Sequence, residues 1–175
     1  MTHAAIAVFL KDRESAPLAE VQKAFSASGT PAVFRFGTEG DASETDLQNA
    51  RWDAAYLCWT TPVIHETWML ERALSTDEDG QQVIAEAMTV AMAQEDEAGR
   101  LIVADHLSKT TEIIMFDPQP ALFADEDHAA WDVMDLALLT LAEIGDGLIY
   151  AVEDGFYDSE GELLLEEPEV VDSDE

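Results

Sequence analysis

Positive charge is nearly missing from this chain. Its 175 residues hold 8 Lys and Arg against 38 Asp and Glu, a formal net charge of −30. A surface of that sign repels polyanions, which excludes direct nucleic-acid binding and docking on anionic membranes as main functions. There is one cysteine, Cys58, so no intrachain disulfide can form. The start, MTHAAIAVFLKDRES, lacks the basic segment and long apolar core of a secretory leader, and the expected compartment is a reducing cytoplasm. No apolar run reaches the roughly 18 to 20 residues that span a bilayer. Neither G-x-x-x-x-G-K nor G-x-S-x-G occurs, and no glycine-rich phosphate loop follows the first apolar run. With so few bases, an anionic substrate would find little counter-charge unless a metal supplied it.

What is present is enough for a packed core, since 47% of the residues are hydrophobic. The acidity is uneven. Residues 1–109 carry 18 acids and all 8 bases, whereas residues 110–175 carry 20 acids and no base. The expected organisation is a single domain over 1–165, with two halves, 1–50 and 51–165, as the alternative division. Residues 166–175 have Pro168 and few apolar side chains beyond Val170 and Val171, and they read as a disordered acidic tail.

Ala4–Leu10 is a short apolar run that reads as a buried strand. Ser15, Pro17 and the helical spacing of Leu18, Val21 and Phe25 open a helix that Gly29 closes, and Pro31–Phe36 returns as a strand. Residues 37–49 read as a loop and Ala54–Trp59 as the next strand. Pro62 and His65 introduce a predicted helix through Trp68, Met69 and Leu74, interrupted by the turn-like Ser75–Gly80 and resumed from Gln81 to Gln94. Leu101–Ala104 and Thr111–Phe116 read as strands. Asp125–Ile144 reads as a helix with acids in its first turn and Gly145 at its end. Leu148–Val152 is a strand, and the turns at Asp154-Gly155 and Glu160-Gly161 set up a terminal hairpin. The order predicts an α+β fold, a mostly antiparallel sheet with helices on one face. Duplicated ferredoxin-like βαβ units are one way to build it, and a doubly wound parallel sheet is the alternative. In outline this resembles small bacterial proteins with two ferredoxin-like halves, although no motif carries the resemblance.

Candidate chemistry is sparse. His65-Glu66-Thr67-Trp68-Met69 begins like a zinc-protease helix, but Met69 stands where the second histidine belongs. Ser75–Glu86 aligns with a calcium loop, placing Asp77, Asp79 and Glu86 at ligand positions and Gly80 at the turn. Ser75 replaces the first acid, Gln82 takes an apolar place, and an acidic helix–helix turn is the competing reading. Cys58 beside Trp59 reads as packing, and His3 and His106 as isolated surface or hydrogen-bonded residues. Trp52, Tyr56, Trp59, Trp68 and Trp131 are candidates for a pocket lining or for core. No cofactor is implied.

The helix from Asp125 carries the most suggestive surface. At about 100° per residue, Asp125, His128, Asp132, Asp135, Glu143 and Asp146 share one stripe, with Leu139 inside it and Leu136 at its edge. Carboxylates that steer and an apolar side chain that holds are what a docking ridge for a basic partner presents; the competing reading is a solvated face with an incidental leucine. The sequence therefore favours a non-enzymatic acidic protein that neutralises a basic protein partner, of the immunity-protein or inhibitor type. DNA mimicry is a special case, weakened because 11 of the 38 acids lie from Glu153 onward. The alternatives are a small enzyme or ligand-binding domain, and a housekeeping protein whose acidity suits high salt.

Overall fold

The computed structural model describes residues 6–11, 17–37, 40–49, 51–60, 64–124 and 129–167. Its centre is the first strand, β1 (Ile6–Leu10), in which every residue is buried. Alternation along a strand sends Ile6, Val8 and Leu10 into one core and Ala7 and Phe9 into another. Such a run requires cover on both faces, and helices supply it. Residues of α1 (Pro17–Ser28), α2 (Glu44–Gln48) and α5 (Ala129–Ile144) fill the larger core, and residues of α3 (Glu78–Met92) and α4 (Glu97–Lys109) fill the smaller. The expectation of helices on one face is thus corrected.

The other strands are β2 (Ala32–Arg35), β3 (Ala54–Trp59), β4 (His65–Leu74), β5 (Glu112–Pro118), β6 (Leu148–Ala151), β7 (Gly155–Tyr157) and β8 (Leu163–Glu166). They form one sheet of 8 strands in the order β2-β3-β4-β5-β1-β6-β7-β8. Every pairing is antiparallel, which removes the doubly wound alternative. Between β1 and β2 lie β5, β4 and β3, so β1-α1-β2 is not a split βαβ unit, whereas β5 and β6 have only β1 between them; the expected ferredoxin-like duplication is not confirmed. Among the described residues no helix is long and apolar enough to cross a membrane.

Two predicted elements change type. Residues 65–74 are strand β4, held by β3 on one side and β5 on the other, not a helix. Leu101–Ala104 lies in helix α4, which begins where the Asp96 carboxylate accepts the Gly99 N–H at 3.2 Å. The predicted loop over 37–49 contains α2, started by a capping box between Ser43 and Asp46.

Glu112 of β5 and Arg72 of β4 make a buried ion pair. Arg72 Nε lies 2.9 Å from Glu112 Oε1, with side-chain exposures of 14% and 7%. Arg72 Nη1 also donates to the Trp52 carbonyl at 3.5 Å.

The last strand reaches further than expected. Glu166 pairs with Gly155, Glu167 N donates to the Asp154 carbonyl at 2.9 Å, and the Glu167 carboxylate accepts the Tyr150 hydroxyl at 2.8 Å. The rest of the predicted tail, residues 168–175, lies outside the described residues. Truncation after Glu167 is expected to leave the melting temperature within a few degrees of the full chain. Truncation after Leu165 removes these bonds and is expected to cost about 2 kcal/mol in urea unfolding. Equal loss from both truncations would place the stabilising contacts beyond Glu167.

Candidate functional site

The packing of α5 decides which residues it offers to solvent. Ala130, Val133, Met134, Ala137, Leu138, Leu141 and Ala142 are buried against α1 and the sheet. That phase leaves Trp131, Asp132, Asp135, Leu139 and Glu143 exposed, with Leu139 at 40% and Trp131 at 36%. Leu136 is half-buried against the core. Asp125 and His128 lie outside the described residues. Asp146 follows the helix with φ +48, and its carboxylate is paired to Lys11 at 2.8 Å, so it contributes less free charge than its place in the stripe implies. Burial first, and the Asp132 charge second, raise the pKa of Asp135. Two neighbouring carboxylates that repel each other gain from any approaching cation.

A second element meets this face. The β7–β8 turn passes beside Leu139: a Cβ added to Gly161 would stand 3.4 Å from Leu139 Cδ2. The turn is held by Asp158, whose Oδ1 accepts the N–H groups of Glu160 and Glu162, each at 2.9 Å. Glu160 and Glu162 flank Gly161 and are exposed. Leu139 is therefore an apolar side chain where two acid-bearing elements meet. Sequence periodicity within α5 could not show that contact; the signal available was Gly161 between two glutamates, which marks a turn without saying what it touches.

Few cations oppose these acids. Among the described residues, the ion pairs engage Lys11, Lys23, Lys109, Arg35 and Arg72, and none of them reaches Asp132, Asp135, Glu143, Glu160 or Glu162. Uncompensated like charges repel across the surface, so the melting temperature is expected to rise by several degrees from low salt to molar salt. A flat profile in a salt series would show that the charges are spaced widely enough to matter little.

The calcium-loop alignment fails on geometry. The incoming element is strand β4, not a helix, and α3 begins at Glu78, so Asp79 sits in its first turn and Glu86 about two turns along it. Asp77 precedes the helix, with its carboxylate accepting the Leu74 N–H at 3.1 Å. Among the described residues no group of three or more His, Cys, Asp or Glu side chains is placed to hold a metal ion. The five aromatic candidates do not line one pocket. Trp52 and Trp68 are buried, and Trp59 packs on the same core. Trp131 stands edge-on to Trp68 with ring centroids 5.2 Å apart, while Tyr56 alternates onto the opposite face of β3 from Ala55 and Leu57. Cys58 is buried, and burial, then the Glu66 charge, push its thiol up to about 11, the opposite of an activated nucleophile. His65 is exposed at the start of β4. His106 Nε2 donates to the Phe9 carbonyl at 2.8 Å, and burial lowers its pKa.

Asp117 in β5 is 6% exposed, and its Oδ1 is buried with no hydrogen-bond partner. Desolvation raises its pKa above 3.8. A raised folded-state value contributes stability below the unfolded pKa, and that contribution is lost as pH rises through the folded value. Asp117→Asn is thus expected to raise the melting temperature at neutral pH, with the gain shrinking on acidification. A gain independent of pH would assign the effect to something other than ionisation.

Comparison with protein-family models, with curated proteins and with solved structures finds no match for the chain.

Proposed function

We propose that this protein is a non-enzymatic acidic binding protein that engages and neutralises a basic protein partner through the exposed face of α5. The observation that carries the reading is Leu139, an exposed aliphatic side chain on the same helix face as Asp132, Asp135 and Glu143 and approached by the turn bearing Glu160 and Glu162. Exposed acids raise the rate of encounter with a cationic surface, and a desolvated apolar contact slows dissociation. Immunity-protein or inhibitor behaviour is the class of activity that such a surface serves.

The test is affinity capture from the native host with the full chain, run beside the variant carrying Asp132→Asn, Asp135→Asn and Leu139→Ala. The expected result is a stoichiometric basic protein retained by the unmodified chain and lost by the variant at the same salt. With that partner, the two Asn changes should slow association and flatten its salt dependence. Leu139→Ala should speed dissociation, costing about 1 to 2 kcal/mol of binding. Equal capture by both proteins would remove α5 from the interface. A steep fall in melting temperature for Leu139→Ala would return that residue to the core.

A further inference from the structure

The two edges of the sheet are finished differently. At β2 the chain folds back on itself: Ala42 N donates to the Phe34 carbonyl at 2.8 Å, Arg35 bridges to Asp41, and their side chains pair at 3.2 Å. Among the described residues nothing comparable lies beyond β8, the last strand in the order. A groove of about 590 Å3 runs there, with β8 (Leu163–Glu166) as one wall and the α3–α4 connection, residues 93–96, as the other. Leu164 is the extra residue of a bulge, since Phe156 pairs with Leu165 and Tyr157 with Leu163. Its carbonyl is turned toward the first turn of α4, where a Cβ on Gly99 would stand 2.6 Å from it. The helix therefore closes the edge at that point, while the groove continues along the strand. Glu95, Asp96 and Glu166 are among its lining residues, no Lys or Arg is, and Leu163 beside them is 51% exposed.

We propose that this groove receives an extended, lysine- or arginine-rich segment of the basic partner, laid along β8 with an apolar side chain against Leu163. The inference rests on the basic-partner reading above and adds a second contact to it. An extended segment fits because one wall is a strand edge, and edges accept chains in that conformation. Charge decides the occupant. A second copy of this protein would bring a net charge of −30 to an acidic groove, and the chain's own residues 168–175 carry four acids and no base. Asp96 is held in place by its cap on α4, so Glu95 and Glu166 are the lining carboxylates chosen for the test.

The test titrates the isotopically labelled full chain with a short peptide alternating lysine and valine, with a glutamate–valine peptide as control, and follows backbone amide shifts by NMR. The lysine peptide is expected to shift amides of residues 93–96 and 163–166. Glu95→Gln with Glu166→Gln should weaken it by about fivefold or more, while Asp132→Asn with Asp135→Asn changes it by less than about twofold. Glu95→Lys alone, outside the sheet, repeats the test should Glu166→Gln lower the melting temperature. Shifts confined to α5, with the groove variants binding normally, would overturn the groove and leave the basic-partner reading standing. Failure of the lysine peptide to bind anywhere would overturn the groove, and failure of host capture as well would remove the basic-partner reading.

Discussion

Arg72→Met is expected to destabilise the protein by about 3 kcal/mol or more at neutral pH, because it leaves a carboxylate inside the fold without its counter-charge. Glu112 is 7% exposed at its side chain, and its contacts to Arg72 are 2.9 Å and 3.5 Å, a two-point engagement that no other described base replaces. The loss has two parts, an uncompensated charge at Glu112 and a lost hydrogen bond at the Trp52 carbonyl. Replacing both partners, Arg72→Met with Glu112→Leu, removes the charge along with its partner and is expected to recover most of the deficit. Urea unfolding of the two variants distinguishes the cases. A single variant that loses less than about 1 kcal/mol would mean that water reaches Glu112 and the pair is worth no more than a surface one.

Gly80→Ala is the second large effect, and its sign opposes helix propensity. Alanine gains up to about 1 kcal/mol over glycine inside a helix, and Gly80 lies in the first turn of α3. The added Cβ would meet the Leu74 carbonyl oxygen at 2.0 Å, its carbonyl carbon at 2.8 Å and Ile113 Cδ1 at 3.3 Å. Leu74 is paired with Glu112 in the sheet, so its backbone has little freedom to retreat. Either the α3 start or the end of β4 must move, and the expected cost is about 2 to 3 kcal/mol, larger than the propensity gain. Thermal and urea unfolding check this; unchanged or raised stability would show that the helix start shifts freely.

Gly80 also shows which features of the fold are local in the sequence and which are not. The glycine was visible, but the calcium-loop alignment read it as a sharp turn, when the residue is needed for close approach between a helix and a strand end. That approach depends on β4 being a strand, whereas its Leu, Met, Glu, Arg and Ala residues favour a helix when isolated. Pairing on both sides overrides the preference, and the alternation of Trp68 and Leu70 into the larger core was the weaker available signal. In α4 the error ran the other way. Leu101 and Ile102 face solvent while Val103 is buried, so an apolar run that looked like a buried strand is partly surface. By contrast β1, β2, β3, β5 and the terminal hairpin were legible, because short apolar runs bounded by turn residues have few other solutions. The exposure of Asp132, Asp135, Leu139 and Glu143 follows from helical period alone, whereas that of Trp131 does not, and the approach of Gly161 to Leu139 is tertiary and has no local signature.

The proposal that a basic protein sits on the α5 face around Leu139 has a direct chemical test. The captured complex is treated with a carbodiimide, which joins a carboxylate to a lysine amine it touches, and the joined peptides are mapped by mass spectrometry. The expected links run from Asp132, Asp135 or Glu143 to lysines of one basic protein, and they are absent when Asp132 and Asp135 are Asn and Glu143 is Gln. Links that avoid α5 altogether, or that scatter over many proteins and many acids with no preference for this face, would contradict it.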